Sequence, residues 1–397
     1  MDKKKSIRGI TIVILFLFLL TIYTPIAAYY IPPLGKTLLA VLLWLFFIKN
    51  NTFRWVALLS FPLLSLCQMA FESASQFFQQ LYFVFNLATV AALFVTLYKG
   101  GDIRFSKKIF HFLFIIFVIN AVTTYYGNII FPGASRDLAS MKYVGDLYDT
   151  YLKYNIGGFD IVYSFVLIIP LLVYKYKKTR LLIERSLILI VLLVFMMAII
   201  ESQYTTAILF AIASLSLFFM PLNIKPDHFV ILGIIILVVV FSTKYLIAFL
   251  SIISSVSGSD EVMARMSDLT DLSKGESLSS DSDVIGRSER YMMSIKLFFS
   301  SPLWGQMFSA VPGKVGGHSF ILDNVAVYGL LGIYLLVLMF KTMYKLYMKY
   351  LKRLDIYPFA MIVFVEYIML TLLNPQPFIP FISLALPLTF YVLAKEQ

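Results

Sequence analysis

The sequence predicts an all-α, polytopic integral membrane protein with about twelve transmembrane helices, and three observations carry that prediction. Of its 397 residues, 60% are hydrophobic. Only 14% are charged, against roughly 25% in soluble domains. The apolar residues come in unbroken runs such as Ile10 to Leu20 and Phe229 to Phe241, the material of membrane helices of about 20 residues each. Soluble globular, disordered and collagen-like proteins are excluded. A β-barrel is excluded as well, because barrel strands alternate lipid-facing and lumen-facing residues and these runs do not.

Hydropathy places the spans at residues 8–28, 34–48, 55–71, 81–98, 109–126, 159–174, 184–200, 205–220, 229–249, 319–340, 358–373 and 379–394, within one membrane domain over 1–397. Lys3-Lys4-Lys5 and the apolar stretch behind it imitate a secretory signal. The run continues to Ala28 and turns through Ile31-Pro32-Pro33 into a second span, so the segment is expected to stay uncleaved. Gly35-Lys36-Thr37 ends like a phosphate-binding loop, but Tyr30 stands where that loop needs its first glycine, so it reads as a hairpin turn. With the N-terminus inside, the segments assigned to the cytoplasm hold 22 Lys/Arg and 6 Asp/Glu, whereas the remainder holds 11 and 16. The net charge of +11 is therefore a positive-inside orientation signal, with both termini cytoplasmic, and not a nucleic-acid footprint. Cys67 is the sole cysteine, and His111, His228 and His318 are far apart, so neither a disulfide framework nor a metal site is expected.

Two segments break the rhythm of span and short loop, both on the outer side, and long loops in a compact protein point to function. The first, 127–158, spaces Leu138, Met141, Val144, Tyr148, Tyr151 and Leu152 helically, as in an amphipathic helix on the membrane surface. It reads either as a structural lid or, through Arg136 and its tyrosines, as a surface for sugars or polar head groups. The second loop, 251–318, begins with a tract too rich in Ser, Asp and Glu to bury a core. Asp281-Ser282-Asp283 there matches a short metal and nucleotide-sugar motif, but such composition produces that match by chance.

The rest of this loop changes character. Ser288 suits an N-cap, and Tyr291, Met292, Ile295, Phe298 and Phe299 then recur at helical spacing until Ser300-Ser301-Pro302. Arg287 and Arg290 lie three residues apart near the start of that helix. Two guanidiniums at a helix N-terminus above a membrane suit a diphosphate, and they equally suit a solvated face or lipid head-group anchors. Glycines at 305, 313, 316 and 317 lead to His318 and Ser319, with Asp323 and Asn324 in the first turns of the tenth span. Direct pairing of His318 with Asp323 requires His318 to lie off the helix.

In order, Arg287, Arg290, Ser301-Pro302-Leu303-Trp304-Gly305, Gly317-His318-Ser319, Leu322-Asp323 and Tyr328-Gly329-Leu330-Leu331-Gly332 resemble the Wzy-type polysaccharide polymerases and the related O-antigen ligases. The resemblance implies a GT-C-like membrane glycosyltransferase in the bacterial cytoplasmic membrane. It implies an inverting, metal-independent enzyme without cofactor, acting on its outer face. Donor and acceptor would be undecaprenyl-diphosphate-linked oligosaccharides, with a flippase and a chain-length regulator as companions. Arg287 and Arg290 then correspond to the arginines that hold the lipid diphosphate, and His318 to the histidine near the acceptor. One departure stands out: Ser202-Gln203-Tyr204-Thr205 occupies the turn where relatives often carry an arginine, leaving Lys244 or Arg136 to supply that charge.

The active-site segment expected is 287–323, with His318 and Asp323 catalytic and Arg287, Arg290, Lys244 and Arg136 binding diphosphate. Arginines stabilise a departing diphosphate, each charge-assisted hydrogen bond contributing about 1.5–3 kcal/mol. A histidine or carboxylate relieves the attacking hydroxyl of its proton. Glu366 lies well inside the eleventh span, where an ionisable group costs roughly 2.5–3.5 kcal/mol, and so should face a cavity or a partner. Alternatives are a ligase that moves a finished glycan to another acceptor, and a transporter or flippase with Glu366 as coupling residue. A transporter usually shows repeated halves and broken helices around the midplane, and neither is evident in the sequence.

Overall fold

The structure, a computed structural model, describes residues 2–48, 59–64, 74–100, 103–140, 145–222, 283–307, 315–348, 351 and 355–375. Every regular element among the described residues is helical. In chain order these are α1 (Asp2–Tyr23), α2 (Pro25–Tyr30), α3 (Pro33–Phe46), α4 (Ala74–Gly100), α5 (Ile103–Ile130), α6 (Ala134–Ser140) and α7 (Asp146–Lys153). There follow α8 (Phe159–Lys178), α9 (Leu182–Glu201), α10 (Thr205–Leu215), α11 (Asp283–Ser300), α12 (Phe320–Met348) and α13 (Tyr357–Leu373). Four stretches, Lys107–Ile130, Phe159–Lys178, Leu182–Glu201 and Phe320–Lys345, are long and apolar enough to cross a membrane. Shorter apolar helices cover Ile10–Tyr23, Pro33–Phe46, Leu81–Val90, Thr205–Phe219 and Tyr357–Leu373. The expected spans at 229–249 and 379–394 lie outside the described residues, and of 55–71 only 59–64 are described.

The bundle is organised around α8. Every residue from Ile161 to Tyr174 is buried, which is what a helix apolar on all sides requires. Helices α5, α9, α10 and α13 pack against it. Phe165 stacks on Phe195 of α9 with ring centroids 5.0 Å apart, and Tyr174 meets Phe359 of α13 edge-on at 5.1 Å. The opposite side of α9 exposes Leu182, Ile183, Leu187, Ile190 and Leu193. A contiguous aliphatic face of this kind is a lipid-facing surface, since water would drive it to aggregate.

The two ends of the bundle differ chemically. At one, the basic last turn of α8 meets the segments before α13 and after α10: Lys178 pairs with Asp355 at 2.7 Å, and Lys177 donates to the carbonyl of Met220. At the other, the C-termini of α5, α9 and α13 gather with the N-termini of α8, α10 and α12. Phe320 N–H donates to Asn374 O (2.8 Å), and Gly157 N–H donates to Thr124 Oγ1 (2.8 Å). The long outer loops expected from the sequence belong to this second end.

Two expectations about those loops change. The first loop does not form one amphipathic helix but two short ones, α6 and α7, because Gly145, with φ 131°, stands at the head of α7 in a backbone region that favours glycine. The second helix starts at Asp283, so Ser288 is interior and not its N-cap.

The sequence shows no broken helix, but α12 is broken at Gly329 (φ 58°, ψ −137°), where a glycine takes a backbone conformation other residues rarely adopt. The loop after α11 fits into the break: Leu330 N–H donates to Pro302 O (2.9 Å) and Gln306 N–H to Ala326 O (3.1 Å). A Cβ on Gly329 would sit 2.5 Å from Pro302 O, and one on Gly305 would sit 2.5 Å from Ala326 O. The two glycines therefore allow backbone to lie on backbone, which locks α11 and its loop to the first half of α12. Gly329→Ala should cost about 3 kcal/mol or more, from the clash added to left-handed strain. Gly133 has φ 81° with nothing within 4 Å of its would-be Cβ, so Gly133→Ala should cost only about 1 kcal/mol. Thermal unfolding of the two variants in detergent checks the ordering.

Candidate functional site

The site begins with two residues on one face of α11. Arg290 and Ser294 are four apart and therefore neighbours on the helix surface. The chain that returns toward α12 lies against this face so closely that a Cβ on Gly316 would fall 2.0 Å from Arg290 O. Gly317 then turns with φ 71°, which frees His318 from the axis of α12. The result is a hydrogen bond of 2.6 Å between Arg290 Nη1 and His318 Nε2. Arg290 is exposed and His318 half-buried, so the pair stands at the surface of the site end.

Beneath it lies a buried joint. Ser319 caps α12, accepting the Leu322 N–H on its hydroxyl at 3.0 Å. Asp323 uses one carboxylate oxygen to accept the Ser319 N–H (3.0 Å) and the other to accept the Ser294 hydroxyl (2.6 Å). Ser294 in turn accepts the Gly316 N–H at 3.0 Å. Asp323 thus ties α11, the glycine turn and the head of α12 together, and it holds in register the backbone on either side of the Arg290 and His318 pair.

A third wall comes from α13. Tyr291 donates its hydroxyl to Leu373 O (2.8 Å), while Asn374 O accepts the Phe320 N–H. Tyr163 of α8 donates to Asn374 Oδ1 at 3.4 Å, and its ring lies 5.8 Å from that of Tyr204. Tyr204 donates to Ser135 O (2.5 Å), and Ser202 donates to Ser135 Oγ (3.5 Å). A chain of contacts therefore runs from Phe320 at the head of α12 through Asn374, Tyr163 and Tyr204 to α6.

The residue after Ser135 is Arg136, close enough to Tyr204 to act on its hydroxyl electrostatically. Arg136 thus stands beside the Ser202 to Thr205 turn, the place where the resemblance leads one to look for a positive charge. The loop that carries it is firmly held. Asn128 donates to Ser135 Oγ (2.8 Å), Ser135 donates to Gly157 O (2.7 Å), and Asn155 donates to both Asn120 Oδ1 and Thr123 Oγ1 (2.9 Å each). Lys153 of α7 sits 5.2 Å from the ring centre of Tyr29, whose hydrogen bond holds the Lys153 pKa above its ordinary value.

Of the residues singled out in the sequence, the structure brings His318, Arg290 and Asp323 into one cluster. Arg287 lies one turn earlier on α11, where only the helical backbone is described, and Lys244 lies outside the described residues. Glu366 is elsewhere: it is 1% exposed inside the bundle, where Ser214 of α10 donates to its Oε1. Its other oxygen has no hydrogen-bond partner among the described residues. Ser294 and Asn374 were not anticipated. The first is a serine inside a helix and the second an amide at the end of a span, and neither carries a signal in the sequence. No protein-family model, curated protein or solved structure matches this chain.

The Asp323 joint makes its own prediction. Asp323→Ala strands the Ser294 hydroxyl and the Ser319 N–H and should cost about 1–3 kcal/mol. Ser294→Ala should cost less, and the double variant less than the sum of the two, because both act through one hydrogen bond. Thermal melts of the three variants read this out; strict additivity would contradict the joint.

Proposed function

We propose that this protein is a membrane glycosyltransferase that joins lipid-linked oligosaccharide repeat units into a capsular polysaccharide or exopolysaccharide on the outer face of a bacterial cytoplasmic membrane. The observation that carries the reading is the contact between Arg290 and His318 above the half-buried Asp323. It puts a permanent cation and a titratable base within one hydrogen bond of each other, at the end of an apolar bundle. Exposed Leu303 and Trp304 on the adjoining loop suit the membrane interface, which is where a polyprenyl carrier presents its diphosphate.

The reaction this arrangement serves is displacement at an anomeric carbon. The acceptor hydroxyl oxygen attacks C1 of the donor sugar, the bond from C1 to the phosphate oxygen breaks, and the polyprenyl diphosphate departs. His318 takes the hydroxyl proton, and Arg290, with Arg287 one turn away, stabilises the charge left on the diphosphate. Arg136 supplies the positive charge on the opposite side, and undecaprenyl diphosphate is the carrier the resemblance supports. The basic end of the bundle then faces the cytoplasm, with both termini, and the site end faces outward. A flippase would deliver the units and a chain-length regulator would set their number.

Gene deletion in the host, with wild type, Arg290→Ala or His318→Ala added back, tests the reading by sizing lipid-linked and surface glycans on a gel. Single repeat units are expected to accumulate in the deletion and in both variants at equal protein level. Long chains stranded on the carrier would instead indicate a ligase, and normal chains throughout would remove the glycosyltransferase reading. Glu366→Gln keeps an oxygen for Ser214 to donate to and should leave chain length at the wild-type value; its loss of chains together with normal Arg290→Ala chains would favour a transporter.

A further inference from the structure

An arginine side chain has donors only, so the atom it meets at 2.6 Å must offer a lone pair. The contact therefore fixes His318 in its resting state: Nε2 is the acceptor and the imidazole is neutral, with its proton on Nδ1. At that distance no hydroxyl fits between the two groups. The nitrogen that would accept a proton from an acceptor sugar is thus covered by the cation that would grip the donor.

We propose that Arg290 masks His318 and that a diphosphate unmasks it. This inference rests on the glycosyltransferase reading and adds the order of events. When the diphosphate of a lipid-linked donor enters, its oxygens compete for the guanidinium, which forms stronger paired hydrogen bonds to phosphate than to a neutral imidazole. Arg290 swings to the anion and the Nε2 lone pair opens toward the acceptor hydroxyl. The proton then moves to Nε2, giving an imidazolium, as the new glycosidic bond forms and the diphosphate leaves. Donor binding precedes acceptor engagement, so the base works only when there is a bond to break.

Among the described residues, the backbone around the pair is held while the guanidinium has room to turn. The backbones of both residues are held: Gly316 is pressed against Arg290 O, and Ser319 beside His318 is bound by Asp323. Ser294, one turn from Arg290, is 1% exposed and also committed to Asp323. Arg290 itself is exposed, so its guanidinium can turn about its own side-chain bonds without moving the helix.

Diethyl pyrocarbonate, which acylates a neutral imidazole nitrogen that carries a free lone pair, tests the masking on purified full-length protein. Acylation of His318 is followed by peptide mass spectrometry, with His111, on another helix, as internal reference. Inorganic pyrophosphate is expected to raise the His318 rate several-fold in the wild type. Arg290→Gln should raise it by a similar factor, with pyrophosphate adding nothing further, while His111 stays constant. An unchanged or slower His318 rate in wild type with pyrophosphate would overturn the proposal, and that arm needs no variant to fold. Equal rates in wild type and Arg290→Gln would overturn it too. If reactivity changes as expected while Arg290→Ala leaves glycan chains at normal length in cells, the masking stands and the polymerase reading falls.

Discussion

The carboxylate of Asp323 is the point on which the site depends, because it joins α11 to the start of α12 directly and, through the Ser294 hydroxyl, reaches the glycine turn. It accepts from the Ser294 hydroxyl on one side and from the Ser319 backbone on the other. In an apolar bundle those donors have few other places to go, and an unpaired one carries its full desolvation cost. Asp323 therefore fixes the spacing between two consecutive helices across the loop that joins them. The contact between Arg290 and His318 is the visible consequence of that spacing, and the break in α12 at Gly329 supports it from the far side by seating the loop after α11.

The same economy runs through the rest of the site end. Helix termini there are satisfied mainly by side chains and backbone of other elements: Asn374, Tyr163, Tyr204, Ser135 and Asn155 each bridge two segments. This web connects the first long loop, with Arg136, to the second, with Arg290. Its effect is to hold the segments that carry Arg136, Arg290 and His318 in one framework. Glu366 stands apart from it, paired with Ser214 deep between α10 and α13.

Much of this was legible in the residues, and the exceptions have physical causes. The helical membrane character followed from apolar runs and scarce charge, and the described helices fall on most of the expected spans. Arg290, His318 and Asp323 were legible because charged and titratable groups are costly beside an apolar span, so their presence together marked a place. The hairpin of two short helices in the first loop was not legible, since the spacing from Leu138 to Leu152 fits one helix and the left-handed Gly145 that separates them leaves no periodic trace. Nor was Ser294. A serine in a helix carries no signal until the partner across the gap is known. The broken α12 could be suspected from Tyr328-Gly329, yet only the approach of Pro302 and Gly305 explains why glycine is needed there.

Placing purified protein in lipid nanodiscs with one synthetic polyprenyl-diphosphate-linked oligosaccharide, and following the products by mass spectrometry, tests the central claim most directly. The account predicts glycans at integer multiples of the repeat unit, free polyprenyl diphosphate released in step with each bond formed, and loss of both when Arg290 is replaced by Ala. Substrate that remains intact, with no polyprenyl diphosphate released by wild-type protein, would contradict it.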